Sequence, residues 1–147
     1  MIYLDHTATT RVTPRVRETF IKALLEFGNP SSLHPVGQRA AAALRRARET
    51  LAEILGCKAE ELFFLPSGSA ANNLALFGTV GDRRGRVITT GAEHPSVYEC
   101  AQELKRRGCD MIFLPSKGGC LDLNALQKAL TSDTLLVSVM LVNNETG

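Results

Sequence analysis

Short apolar runs alternate along this chain with longer amphipathic stretches, and three of the runs lead directly into a polar cluster. That alternation constrains the fold more than any other feature. Residues 62–65, 87–90, 111–114 and 135–140 read as strands. The first of them, Leu62-Phe63-Phe64-Leu65, is apolar throughout, as a strand buried on both faces should be. Helical spacing fills the intervals. Thr13-Pro14 supplies a hydroxyl cap and then proline at the first helical position, and Val16, Phe20, Ala23, Leu24 and Phe27 follow until Gly28-Asn29-Pro30. A longer helix is expected from about Val36 to Leu55, with Ala40, Leu44, Ala47, Leu51 and Leu55 as its stripe and Gly56 as its stop. Further helices are expected from Ala70 to about Phe77, over 95–107 and over 123–130. Lys105, Arg106 and Arg107 complement the dipole of the second of these. The expected fold class is α/β, with a mostly parallel sheet and flanking helices.

Composition narrows the partners. A chain of 147 residues is about one domain's worth of material, and 44% hydrophobic with 22% charged residues is ordinary for a globular protein. Seventeen basic against fifteen acidic residues leave a net charge of +2, too little to argue for nucleic acid or a membrane surface. Arg39, Arg45, Arg46 and Arg48 read as the solvated face of the long helix. No apolar run spans a bilayer and no secretory leader is visible, so a cytoplasmic setting is expected. The cysteines at 57, 100, 109 and 120 form no CxxC and no zinc-ligand spacing. They read as free, partly buried thiols, and no metal is expected.

The polar clusters carry the chemistry, because ligands of parallel sheets bind at the carboxyl ends of strands. Ser67-Gly68-Ser69 stands between a strand and a helix start, where outward amides and the helix dipole suit a phosphate. A plain helix cap is the other reading. His94, after Glu93 and before Pro95, suits stacking on a planar ligand or moving a proton, and equally suits capping. Asn143-Asn144 offers side-chain amides to a ligand oxygen, or supplies a turn.

Five stretches then stand in a telling order. They are Tyr3-Leu4-Asp5 with Ala8-Thr9-Thr10; Phe27-Gly28-Asn29-Pro30-Ser31-Ser32-Leu33-His34; Ser67-Gly68-Ser69 with Asn72-Asn73-Leu74-Ala75; Glu93-His94-Pro95; and Val137-Ser138-Val139-Met140 with Val142-Asn143-Asn144-Glu145-Thr146-Gly147. In this order and spacing the chain resembles the N-terminal part of a cysteine desulfurase, in the NifS-like group of the class-V aminotransferase family. That resemblance implies the type I fold of pyridoxal-phosphate enzymes. Residues 1–13 would be an N-terminal arm, and 14–147 the first half of the cofactor-binding large domain. It implies pyridoxal 5'-phosphate as cofactor, with Gly68 and Ser69 at the phosphate, His94 stacked on the ring and a candidate proton carrier, and Asn144 at the ring hydroxyl. The 29–34 loop would line the substrate entrance.

The resemblance further implies L-cysteine as substrate, alanine and an enzyme-bound persulfide as products, a sulfur-acceptor protein such as an iron–sulfur scaffold, and a homodimeric parent. Departures are His6-Thr7, Ala70 in place of an acidic residue, and Leu141 in place of a frequent histidine. Family members run to more than twice this length. The cofactor-binding lysine, the aspartate at the pyridine nitrogen and the sulfur-accepting cysteine all match positions beyond Gly147. The expectation is a truncation that does not turn over alone. The alternatives are a selenocysteine lyase or other class-V enzyme, and a non-catalytic remnant acting as a binding module.

Overall fold

Three helices start on proline, and in each the preceding side chain closes the first turn. The structure, a computed structural model, describes residues 2–147. Helix α1 (Pro14–Leu24) is capped by the Thr13 hydroxyl, which accepts from the Val16 amide at 3.4 Å. Helix α2 (Pro35–Leu55) is capped by His34, whose Nδ1 accepts from the Gly37 amide at 3.3 Å, and it ends on Gly56 at φ 68°. Proline costs nothing at such a position, because the amide it lacks has no intrahelical partner. The chain divides into two compact units, one up to Phe64 and one from Leu65 onward. The first holds α1, α2 and a 3-10 turn at Ala59–Glu61.

The second unit is a parallel α/β layer. Helix α3 (Gly68–Val80) precedes β1 (Arg86–Thr90), α4 (Pro95–Arg106) and β2 (Asp110–Leu114). A small hairpin follows, β3 (Ser116–Lys117) and β4 (Cys120–Leu121), and then α5 (Leu123–Ala129) and β5 (Thr134–Val137). The three-stranded sheet runs β2-β1-β5, and both pairings are parallel. At its amino end Arg86 pairs with Asp110 at 2.7 Å and donates to the Ala129 carbonyl at 2.9 Å, fixing the register of β1 on β2. The core lies between this sheet and the helices: Leu76 and Val80 from α3, Val97, Ala101 and Leu104 from α4, and Val87 and Met111 from the strands. Ile88 and Leu104 are fully buried, and apolar area removed from water is what holds such a layer together.

Two expectations need correction. The run at 62–65 forms no strand, and Phe63 is 76% and Phe64 49% exposed. An apolar run becomes a strand only where another segment offers a ladder, and none among the described residues does. The last strand ends at Val137 rather than Met140, because only the Ser138 amide still reaches the β1 ladder, at the Ile88 carbonyl. The Met140 amide is taken instead by the Glu93 side chain. The β3–β4 hairpin, which turns at Gly118-Gly119, has no counterpart among the strands expected from the pattern. Gly118 and Gly119 both have positive φ there, the geometry of a tight hairpin turn.

All four cysteines are free thiols, with Cys100 and Cys109 buried, Cys57 half-buried and Cys120 exposed. Burial, and then the charge of Glu99, push the Cys100 thiol up, and its Sγ donates to the Ser96 carbonyl at 3.0 Å. Thiolate is the form that reacts. Iodoacetamide at mildly alkaline pH should therefore label Cys120 first and Cys100 only after unfolding, as peptide mass mapping would read. Early labelling of Cys100 in the folded chain would contradict this core. Among the described residues no helix is long and apolar enough to cross a membrane, and no cluster of metal-ligating side chains occurs.

Candidate functional site

Strand order locates the site before any side chain is considered. From β1 the chain crosses through α4 to β2 on one side, and it returns through α5 to β5 on the other. The loops leaving β1 and β5 thus diverge at the carboxyl edge of the sheet, the switch point where parallel α/β layers take their ligands. Glu93 and His94 lie in the first loop, Asn143 and Asn144 in the second. A double clasp joins them. One Glu93 carboxylate oxygen accepts from the Met140 amide at 2.9 Å and from the Thr90 hydroxyl at 2.8 Å. Asn143 Nδ2 donates to the Ala92 carbonyl at 2.9 Å.

Each polar cluster divides its work between neighbours. In Ser67-Gly68-Ser69, Ser67 is the cap of α3: its hydroxyl accepts from the Ala70 amide at 3.1 Å and its carbonyl from Ala71. The Gly68 and Ser69 amides, at the first two helical positions, have no intrahelical carbonyl to meet. A Cβ built on Gly68 meets nothing within 4 Å, so the space beside this residue is open. No acidic residue in the first turn of α3 offsets its dipole, which Ala70 makes possible.

In the second cluster Glu93 clasps while His94 caps α4, Nδ1 accepting from the Ser96 amide at 3.1 Å. The Ser96 hydroxyl lies 2.8 Å from the same nitrogen, and Asn72 Nδ2 of α3 donates to that hydroxyl at 2.8 Å. In the third, the Asn143 side-chain oxygen accepts from the Glu145 and Thr146 amides at 2.9 and 3.0 Å, building the turn. Asn144 is exposed and has no hydrogen bond among the described residues.

Ser69 and His94 line one open concavity of about 570 Å³, with Asn73, Phe77, Glu103 and Arg107 along its walls. Arg107 stacks on Phe77 at 4.7 Å and pairs with Glu103 at 2.9 Å, and Arg106 adds a second contact to Glu103 at 3.2 Å. The hydrogen bond from Arg107 holds the Glu103 carboxyl below the usual carboxylate range, so the acidic wall is neutralised in place. Asn144 does not line this concavity. Its neighbour Asn143 borders another, of about 480 Å³, with Thr90, Ala92 and Met140. Glu93, Ser96 and Asn72 hold the hydrogen bonds around His94 and its loop, and pattern reading gave none of them a role. The signal for two of them was present, since Glu93 and Ser96 flank His94 within two residues.

Comparison with known proteins bears on the family and the fold. The Aminotransferase class-V family pattern matches residues 2–147. A NifS/IcsS protein homolog of Lactobacillus delbrueckii subsp. bulgaricus is 40% identical over 152 residues, covering 100% of this chain and 40% of that protein. The cysteine desulfurase IscS of Salmonella paratyphi B is also 40% identical, over 99% of this chain and 38% of its own length. Among solved structures, DndA from Streptomyces lividans superposes with a TM-score of 0.81 at 41% identity, covering 99% of this chain and 42% of that one. SspA in complex with cysteine gives 0.90 at 32% identity, over 97% and 43%. The chain thus spans about two fifths of the length of the relatives it matches. With its described length matched from end to end, the chain belongs to the class-V aminotransferase family.

Proposed function

We propose that this chain supplies part of the pyridoxal-phosphate site of a cysteine desulfurase, a protein that takes sulfur from L-cysteine and leaves alanine. The observation that carries the reading is one concavity lined by both Ser69, in the first turn of α3, and His94, the cap of α4. The residues present fit the cofactor. Two amides without intrahelical partners and an open cradle at Gly68 suit a phosphate, and the exposed His94 ring suits a planar heterocycle. Bound there, the cofactor supplies an electron sink for the substrate's α-carbon, while the protein orients it.

Gly68 and Ser69 would hold the phosphate through their amides and the Ser69 hydroxyl. His94 would lie against the ring. Asn144, free of other duties, would meet the ring hydroxyl. Residues 1–13 would act as an arm, and the remainder as the first part of the large domain. A sulfur-acceptor protein and a second copy of the parent would be the partners.

The substitution Gly68→Ala separates the site from the fold. The added methyl meets no protein atom, and alanine suits a helix better than glycine, so thermal stability should hold or rise slightly. Binding of pyridoxal phosphate, followed by absorbance and by competition with inorganic phosphate, should weaken by about tenfold or more, because the methyl fills the open space in which the anion would approach the amide. Unchanged binding in this variant would remove the phosphate from α3. In the full-length protein, alanine release from L-cysteine is the activity to assay.

A further inference from the structure

We infer that Asn72 and Ser96 lock His94 in one tautomer, with its proton on Nε2, so that the ring meets its ligand as a hydrogen-bond donor and not as a base. The proposed cofactor reading says what that ligand is; the lock itself is a property of the protein. Asn72 and Ser96 are thus positioning residues for the site.

The direction of each hydrogen bond follows from what the groups can do. A backbone amide only donates, and the Ser96 amide lies 3.1 Å from His94 Nδ1, so that nitrogen offers a lone pair. The Ser96 hydroxyl, 2.8 Å from the same nitrogen, has both a proton and lone pairs to offer. Because Nδ1 already offers its lone pair to the amide, the hydroxyl can meet it only as a donor. Asn72 Nδ2, 2.8 Å from Ser96 Oγ, donates into that oxygen and so favours the same orientation of the hydroxyl proton. A neutral imidazole carries one proton, which therefore sits on Nε2.

The wire begins at an amide, and that limits what it does. An Asn72 carboxamide neither takes up nor releases a proton, so Asn72→Ser96→His94 is a one-way chain of donors. A carboxylate in its place would orient a base, as the third member of a catalytic triad does. Here the same geometry, built from an asparagine, presents a donor. It favours the stacking role for His94 over the proton-carrier role, and directs an N–H toward any oxygen or nitrogen lone pair of the ligand.

His34 offers an internal comparison. It too precedes a proline and caps a helix through Nδ1, at 3.3 Å from the Gly37 amide. Among the described residues no hydroxyl stands behind it, so its ring has one donor where His94 has two.

The test is a two-bond proton–nitrogen correlation on the full chain with nitrogen-15 in its histidines, recorded where imidazoles are neutral. There are three histidines, so single variants of His6 and His34 assign the spectrum. His94 is expected as one tautomer, with a protonated Nε2 and a bare Nδ1. The isosteric change Asn72→Asp turns the donor into an acceptor and draws the Ser96 hydroxyl proton away. The ratio of Nε2-protonated to Nδ1-protonated ring should then fall by about tenfold, on the scale of one hydrogen bond. Ser96→Ala should move the His94 Nδ1 signal toward that of His34, and it carries the decision if the aspartate variant does not fold.

A wild-type His94 averaged over both tautomers, or variants with the wild-type spectrum, would overturn the lock. Pyridoxal phosphate binding is measured separately in the same proteins. Its absence beside a single tautomer counts against the cofactor reading alone, and its presence beside a mixed tautomer counts against the lock alone.

Discussion

Replacing Glu93 by alanine should destabilise the second unit by about 3 kcal/mol, since hydrogen bonds to a charged group contribute about 1.5–3 kcal/mol each and a buried donor left behind adds its own cost. One oxygen of this side chain holds both the Met140 amide and the Thr90 hydroxyl. Without it the chain after Val137 has only the Ser138 amide and the Asn143 clasp to keep it against β1. Two measurements check the expectation. A urea melt gives the stability change, and a titration with pyridoxal phosphate should lose the contribution of the Asn144 loop. Glu93→Gln keeps an acceptor oxygen in place and should cost about 1 kcal/mol, the difference between charged and neutral acceptors. Equal stability of the alanine variant and the native chain would mean that the clasp holds nothing.

Gly37→Ala should be damaging in a helix where alanine ordinarily helps. Inside α2 the change would normally add about 0.5–1 kcal/mol of stability. At this position, however, a Cβ would lie 2.5 Å from the Ser32 carbonyl oxygen, 2.6 Å from the Asn29 carbonyl oxygen and 2.6 Å from Ser32 Cβ. Two of these are backbone oxygens and the third is a Cβ fixed to its backbone, in a turn that is itself tied down by the Ser32 amide on the Asn29 carbonyl and the Ser31 amide on the Asn29 side chain, both at 2.9 Å. They cannot step aside cheaply. The expected result is a loss of about 3 kcal/mol in the first unit, the upper range for overpacking, with early hydrogen exchange in the first turn of α2. Gly78→Ala in α3 is the control, because its nearest atom is Leu74 Cδ1 at 3.9 Å. That change should stabilise by up to about 1 kcal/mol. Two glycine-to-alanine substitutions in two helices would thus differ in sign.

The helices were legible because their signals are local. Thr13-Pro14 and Gly56 announce ends of α1 and α2 through atoms within three or four residues, and each does so in the structure. Strand limits depend on partners remote in sequence, and there pattern reading erred. The run at 62–65 has the composition of a buried strand but no ladder among the described residues. Residues 138–140 have the composition of a strand, but Glu93 draws the Met140 amide out of line. The polar clusters were legible as clusters. Ligand and capping roles looked like alternatives for each, whereas in the structure Ser67 and Asn143 take the capping and turn bonds and leave the side chains of their neighbours Ser69 and Asn144 out of them. His94 combines a cap through Nδ1 with an exposed ring on the concavity. A one-dimensional pattern does not separate two nitrogens of one ring.

The clasp at the carboxyl edge also sets when the site comes into being. Glu93 and Met140 are 47 residues apart, and Asn143 and Ala92 are 51 apart. Closing such spans costs chain entropy that local helix formation does not, so the histidine's helix can form well before its asparagine partner arrives. During synthesis the loop that carries Asn144 stays unplaced until the final described strand has emerged and paired, although the concavity of Ser69 and His94 is built from α3 and α4 alone. Any ligand that touches both loops would therefore report on the finished layer, and by mass action it would hold that strand in place.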